Sequence, residues 1–316
     1  MKRWLKRLSL AAVAGLVLLL FGFLPWWLAG LFTTGRFQMR DAENEGLTPA
    51  SFELAYEDVA FPARDGVPLQ GWWVPAQNAR GSVVLVHGLN RSRIEMVRKV
   101  PFLHRSGWNA LLFDLRRHGK SGGERRSLAF HERKDVLGGF DFARKRQPGP
   151  AAVWGISFGG AASVLAAAEE PGIAGVVCDS SFRSLRDTAR HHVAIARRWR
   201  WWMAYVPAGP VAAEAVFWMG RRGGFDPDAL DVVKAVERLR GRPSLFVGGS
   251  GDERMPAEIA RELQSAAGDG AQLLVVRSER HGQAYKDGTE EYERAVSALL
   301  DRIAPRDVVT EQGATP

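Results

Sequence analysis

Ser157, Asp252 and His281 lie far apart in the chain, yet their types and order are those of a nucleophilic machine. Serine is a weak nucleophile unless a base takes its proton as it attacks. Ser157 is the centre of Gly155-Ile156-Ser157-Phe158-Gly159, with glycines two places to either side, where a sharp turn needs room for neighbouring backbone. The predicted base is His281, in Glu279-Arg280-His281-Gly282. A histidine in this role needs a carboxylate to fix its tautomer and stabilise the imidazolium. Asp252, in Gly248-Gly249-Ser250-Gly251-Asp252, is the expected partner, with Asp179 as a rival and Glu253 as a weaker one.

A tetrahedral intermediate also needs donors for its oxyanion. The expected donors are the backbone N–H groups of Leu89, in Val86-His87-Gly88-Leu89-Asn90, and of Phe158, which follows the nucleophile. His87 reads as a structural hydrogen-bonder of that loop, and His104 and His131 read as structural residues of helices. His191 and His192, in an arginine-rich stretch, read as solvated or packing residues. The single cysteine, Cys178, allows no intramolecular disulfide. It lies in the apolar run Gly175-Val176-Val177-Cys178, as a small buried residue does.

The elements that must hold these residues are legible as alternation. Short β-rich runs are predicted at 56–61, 67–74, 82–87, 109–113, 151–156, 174–179, 244–248 and 272–277. Helix-period segments fall near 92–105, 132–146, 158–169, 256–267 and 289–303. Runs such as Val83-Val84-Leu85-Val86 are apolar without alternation, as strands buried on both faces of a parallel sheet are. The pattern predicts an α/β fold: a mostly parallel eight-stranded sheet with helices on both faces, opening on an antiparallel hairpin. Each member of the triad then falls at the C-terminal end of a strand, where open α/β sheets place their sites. The stretch between the strands ending near 180 and starting near 244 is too long for a simple crossover. It predicts a helical cap insertion at about 183–240.

The ends of the chain carry a different signal. Residues Leu8 to Phe32 hold no charge, a run longer than the ~20 residues that cross a bilayer. Lys2, Arg3, Lys6 and Arg7 precede it, which keeps the N-terminus cytoplasmic and exports the rest out of the cytoplasm, to the periplasm if the cell is Gram-negative. Residues 1–35 are therefore expected to be a retained anchor, with a cleaved signal peptide as the alternative. Residues 36–54 read as a linker, 55–305 as the globular domain and 306–316 as a flexible tail. Formal net charge is +8, concentrated in the N-terminal four cations and in six arginines within 183–202. The rest is close to neutral, which leaves no basic stripe for nucleic acid. Seven of eleven tryptophans lie in the cap or the N-terminal segment, which makes the cap a candidate for membrane contact.

Four blocks together resemble the α/β-hydrolase superfamily over about residues 56–303. They are His87-Gly88-Leu89-Asn90, Asp114-Leu115-Arg116-Arg117-His118-Gly119-Lys120-Ser121, the serine pentapeptide, and Gly251-Asp252 with His281-Gly282. The chain looks most like the membrane-anchored BEM46-like hydrolases and the serine aminopeptidase-type domain. The family usually has glycine where Arg117 stands. The resemblance implies hydrolysis of a small-molecule acyl substrate without metal or organic cofactor. It leaves open carboxylic ester, thioester and peptide bonds. Ester hydrolysis is the leading expectation; a peptidase of the same fold and a catalytically inactive binding protein are the alternatives.

Overall fold

The computed structural model describes residues 2–35, 38–199 and 207–306. Eight strands form one sheet: β1 (Glu57–Pro62), β2 (Pro68–Val74), β3 (Gly81–Val86), β4 (Trp108–Phe113), β5 (Ala151–Ile156), β6 (Ile173–Asp179), β7 (Ser244–Gly249) and β8 (Ala271–Val276). Their order across the sheet is β1-β2-β4-β3-β5-β6-β7-β8. β1 pairs antiparallel with β2, and β2 with β4; every other pairing is parallel. The connection leaving β3 runs toward β4, whereas β5 and its successors build out on the opposite side. This reversal opens a crevice at the C-terminal ends of β3 and β5.

Eleven α-helices are described: α1 (Lys2–Leu18), α2 (Leu24–Thr33), α3 (Val100–Arg105), α4 (Glu132–Arg146), α5 (Phe158–Glu169), α6 (Leu185–Trp199), α7 (Ala208–Gly223), α8 (Val232–Val236), α9 (Ala257–Ala267), α10 (Ala284–Asp287) and α11 (Thr289–Ile303). Alternate residues of the central strands feed two apolar layers. Val84 and Val86 join α4, α5, α8 and α9 on one face. Val83 and Leu85 join α3, α10 and α11 on the other. The predicted sheet, its opening hairpin and its flanking helices are therefore all present. The 92–105 segment differs: it is a 3₁₀ run over Arg93–Lys99 before α3 begins.

The cap is a helical hairpin of α6 and α7, closed at its base by a bridge between Ser184 and Asp231. Val232 N–H donates to Arg183 O at 2.9 Å just beyond it. The insertion is thus shorter than 183–240, because α8 returns to the core against α5 and α9. Arg200, Trp201 and Trp202 of the expected cap lie outside the described residues.

At the N-terminus α1 continues through a π turn (Leu19–Phe23) into α2. Pro25 has no N–H for the carbonyl four residues earlier, and a wide turn here takes up the mismatch. Lys6–Thr33 is one helix long and apolar enough to cross a membrane. Its first part stands clear of the protein, whereas Pro25, Ala29, Gly30 and Thr33 of α2 are buried, and α2 packs on α7. Residues 38–54 do not dangle as a linker would. Met39 N–H donates to Asn90 O at 2.7 Å, Arg98 Nε to Asn44 Oδ1 at 2.7 Å, and Lys286 pairs with Glu43 at 2.7 Å.

Candidate active site

Ser157 caps the start of α5 directly after β5, with φ +54° and ψ −117°. Non-glycine residues rarely adopt this conformation, and it persists only where the surroundings enforce it. Two close approaches do so here. A Cβ on Gly155 would collide with Gly159 O, and one on Gly159 would collide with the Val86 and His87 carbonyls. The strand-to-helix turn can therefore form only with glycine at both places, and it forms against the loop that follows β3. Ser157 N–H donates to Asp179 O at 2.7 Å, which fixes the turn from the other side.

The structure brings Ser157, His281 and Asp252 together. His281 Nε2 lies 2.8 Å from Ser157 Oγ, and His281 Nδ1 lies 2.7 Å from Asp252 Oδ2. A carboxylate only accepts, so Nδ1 carries the proton and Nε2 is left to accept from the serine hydroxyl. Asp252 is 3% exposed, and its second oxygen accepts the N–H groups of Arg254 and Met255 at 2.9 and 3.0 Å. The acid is thereby locked in orientation, with both oxygens used.

The rivals sit elsewhere. The Asp179 carboxylate accepts from Ser180 Oγ at 2.8 Å and from Tyr292 OH at 2.9 Å. Burial pushes its pKa up, and its bonds hold it in the core behind the turn. Glu253 contributes its carbonyl, which accepts from His191 Nε2 at 2.7 Å, a link from the cap to the acid loop. His192 donates to Thr188 O within α6. His131 bonds Gly224 O at 3.0 Å, joining the start of α4 to the end of α7. Cys178 is buried, and desolvation raises its thiol to about 12.

Among the described residues, no hydrogen bond within the protein engages Leu89 N–H or Phe158 N–H, so both donors are free. Their loop is held by His87, the hydrogen-bonder expected from the sequence, and by Glu95 and His118, which sequence reasoning did not assign to it. Glu95 accepts Gly88 N–H at 2.6 Å. His87 donates from Nδ1 to Gly88 O at 2.8 Å and accepts Leu115 N–H at Nε2, 3.0 Å away. His118 mirrors it, bonding Arg116 O at 2.8 Å and accepting Asn90 N–H at 3.2 Å. Burial lowers the pKa of both, so both imidazoles are neutral. Beneath them Asp114 accepts the N–H groups of Arg93 and Lys120 at 2.8 and 2.9 Å. Among the described residues, no group of three or more His, Cys, Asp or Glu side chains is arranged to hold a metal.

Comparison with known proteins fits this geometry. Residues 77–215 match the family model described as serine aminopeptidase, S33. The chain is 22% identical over 270 residues to the Bacillus subtilis protein YqkD, covering 84% of this chain and 86% of that one. It is 25% identical over 271 residues to the Arabidopsis thaliana α/β-hydrolase domain-containing protein WAV2, covering 82% and 83%. An esterase from Pyrococcus furiosus superposes with a TM-score of 0.69 at 24% identity, over 84% of this chain and 97% of the esterase. An enol-lactonase from Burkholderia xenovorans superposes at 0.55 with 20% identity, over 76% and 99%. The chain has the α/β-hydrolase fold.

Proposed function

We propose that this α/β-hydrolase cleaves carboxylic esters through an acyl-enzyme. Ser157 attacks the carbonyl as His281 Nε2 takes its proton, and Asp252 stabilises the imidazolium. The oxyanion is held by the N–H groups of Leu89 and Phe158. His281 then passes its proton to the departing alcohol, and water deacylates Ser157 by the same route. The observation that carries this reading is the continuous hydrogen-bonded chain from Ser157 Oγ through His281 to a buried, fully engaged Asp252. An esterase and a lactonase with this fold support ester over other acyl bonds. The family model's description makes an aminopeptidase the second reading. A free amine wants an acidic pocket, and the cavity beside the triad is rich in arginine and lysine.

Fluorophosphonate labelling tests the triad. Wild type is expected to label at Ser157 and Ser157→Ala to lose the label completely; equal labelling of both would sink the reading. Esters against aminoacyl anilides then separate the two substrate classes.

The same proposal holds that Lys6–Thr33 anchors the enzyme in a membrane with the hydrolase domain outside the cytoplasm. The cations before the helix and the apolar, largely exposed span support it. Alkaline phosphatase fused after residue 60 is expected to be active, and an inactive fusion would reverse the topology. The Trp-rich ends of the helix and cap support a lipid-like ester as substrate.

A further inference from the structure

A cavity of about 210 Å³ lies against the triad without including it. Ile156, the residue before Ser157, forms part of its wall, and so do Gly282 and Gln283, which follow His281. Six cationic side chains line it: Arg40, Arg91, Arg98, Lys99, Arg280 and Lys286. Asp41, Glu43 and Glu95 are the acids among its walls, and each is already engaged. Glu95 accepts Gly88 N–H and faces Arg91 at 3.4 Å. Glu43 pairs with Lys286 and lies 4.0 Å from Arg280. Asp41 accepts from Asn44 Nδ2 at 3.1 Å.

Two cations have no acid within ion-pair distance, although Glu43 acts on Arg98 from farther away, as Asp179, Glu95 and Asp41 do on Lys99. Arg98 donates to neutral acceptors, Asn44 Oδ1 and Glu43 O. Lys99 is only 4% exposed. Among the described residues its ammonium has no hydrogen-bond acceptor and no ion-pair partner. It rests over the rings of Tyr285 and Trp154, 4.6 and 5.8 Å from their centroids. A buried ammonium that only ring faces touch, with its carboxylates (Asp179, Glu95 and Asp41) beyond contact, is costly unless a counter-charge reaches it. Burial lowers its pKa, and an anion beside it would reverse that shift. A lysine with no catalytic part in the triad and no carboxylate in contact with it lines a basic cavity whose wall includes the residue before the nucleophile.

We propose that this cavity binds a compact anionic group, a carboxylate or a phosphate, carried by the ester substrate, with Lys99 as its main contact. The proposal rests on the esterase reading and narrows it. The preferred substrate is an anionic ester, and the cavity fixes the charged end while Ser157 meets the carbonyl.

The test uses the full chain in detergent micelles and two matched pairs of esters. Nitrophenyl hexanoate against the half-ester nitrophenyl adipate places the anion on the acyl side. A monoacylglycerol against the lysophosphatidylglycerol of the same chain length places it on the alcohol side, as a lipid headgroup. In wild type, kcat/KM for the anionic member is expected to exceed that for the neutral one in at least one pair. In Lys99→Met that ratio is expected to collapse by roughly tenfold, the loss of one charge-assisted contact. Lys99→Arg should restore part of it. A ratio near one in both pairs, or a ratio that Lys99→Met leaves unchanged, overturns the proposal while the esterase reading stands. A chain that turns over none of the four esters and takes no fluorophosphonate sinks the esterase reading instead. Calorimetric titration of Ser157→Ala with inorganic phosphate tests the cavity without turnover. Binding that Lys99→Met abolishes supports the proposal, and binding absent or unaltered counts against it.

Discussion

Arg117 shows what one residue contributes when it departs from its family's pattern. It occupies the place where the pattern that the sequence resembles usually has glycine, and its φ of +55° is one that glycine adopts freely. An L-residue there costs about 1–2 kcal/mol. Something must offset that, and the guanidinium does so by donating through Nε and Nη2 to Thr34 O at the end of α2. Two substitutions separate strain from bond. Arg117→Ala keeps the strain and loses the hydrogen bonds, whereas Arg117→Gly loses both. Gly is therefore expected to be the more stable of the two variants by about 1 kcal/mol, with both below wild type. Chemical denaturation of the three proteins reads this directly. Equal stability of the two variants would mean that Arg117 is unstrained.

The loops after β3 and β4 are tied by two neutral histidines, and their chemistry gives the pair a pH signature. Nε2 of His87 and of His118 accepts a backbone N–H, so a proton arriving there would face a donor. Burial lowers the pKa of both below the unfolded value of about 6.5. The unfolded chain then binds more protons than the folded one as pH falls through that value. The stabilisation is complete above about pH 6.5 and is lost progressively below it, at up to about 1.4 kcal/mol per pH unit for each histidine. Unfolding measured between pH 7.5 and pH 5 is expected to show this slope, and His118→Asn to flatten it. An identical slope in the variant would remove His118 from the account. These loops also mark how far the sequence could be read. The strands around them are apolar runs with β-branched residues, and the nucleophile turn announces itself through Gly155 and Gly159. The linkage of His87 and His118 joins residues 31 apart in the chain, and no local pattern encodes it. Polarity likewise made 36–54 look like a tether. Its Glu43 and Asn44 are polar because they pair with Lys286 and Arg98, partners visible only once the chain has folded.

At the scale of the whole molecule the N-terminal helix is a structural part of the enzyme as well as its candidate anchor. The last turn of a helix leaves carbonyls without partners; two arginines from the hydrolase domain meet them here, and a third reaches a side-chain hydroxyl beside them. Arg117 reaches Thr34 O, Arg222 reaches Thr34 Oγ1 at 3.1 Å, and Arg126 reaches Leu31 O and Gly35 O at 2.8 and 2.6 Å. Cations suit this end of the helix dipole. Arg126 is 1% exposed and also bonds Asn90 Oδ1, in the loop that presents Leu89 N–H. One buried guanidinium thus joins the end of the membrane-candidate helix to the proposed oxyanion donor. Arg126→Met leaves several buried acceptors unpaired and is expected to destabilise the fold by about 3 kcal/mol or more. It should also slow fluorophosphonate labelling of Ser157, because a small shift in donor position is costly for catalysis. Arg222→Met is the control: Arg222 holds the same helix, lying 4.6 Å over the Trp26 ring, but does not touch Asn90. It is expected to lower the unfolding temperature and leave the labelling rate of the folded protein unchanged. If both variants slow labelling to the same extent, the effect follows loosening of the helix, and Arg126 has no separate part in positioning the loop.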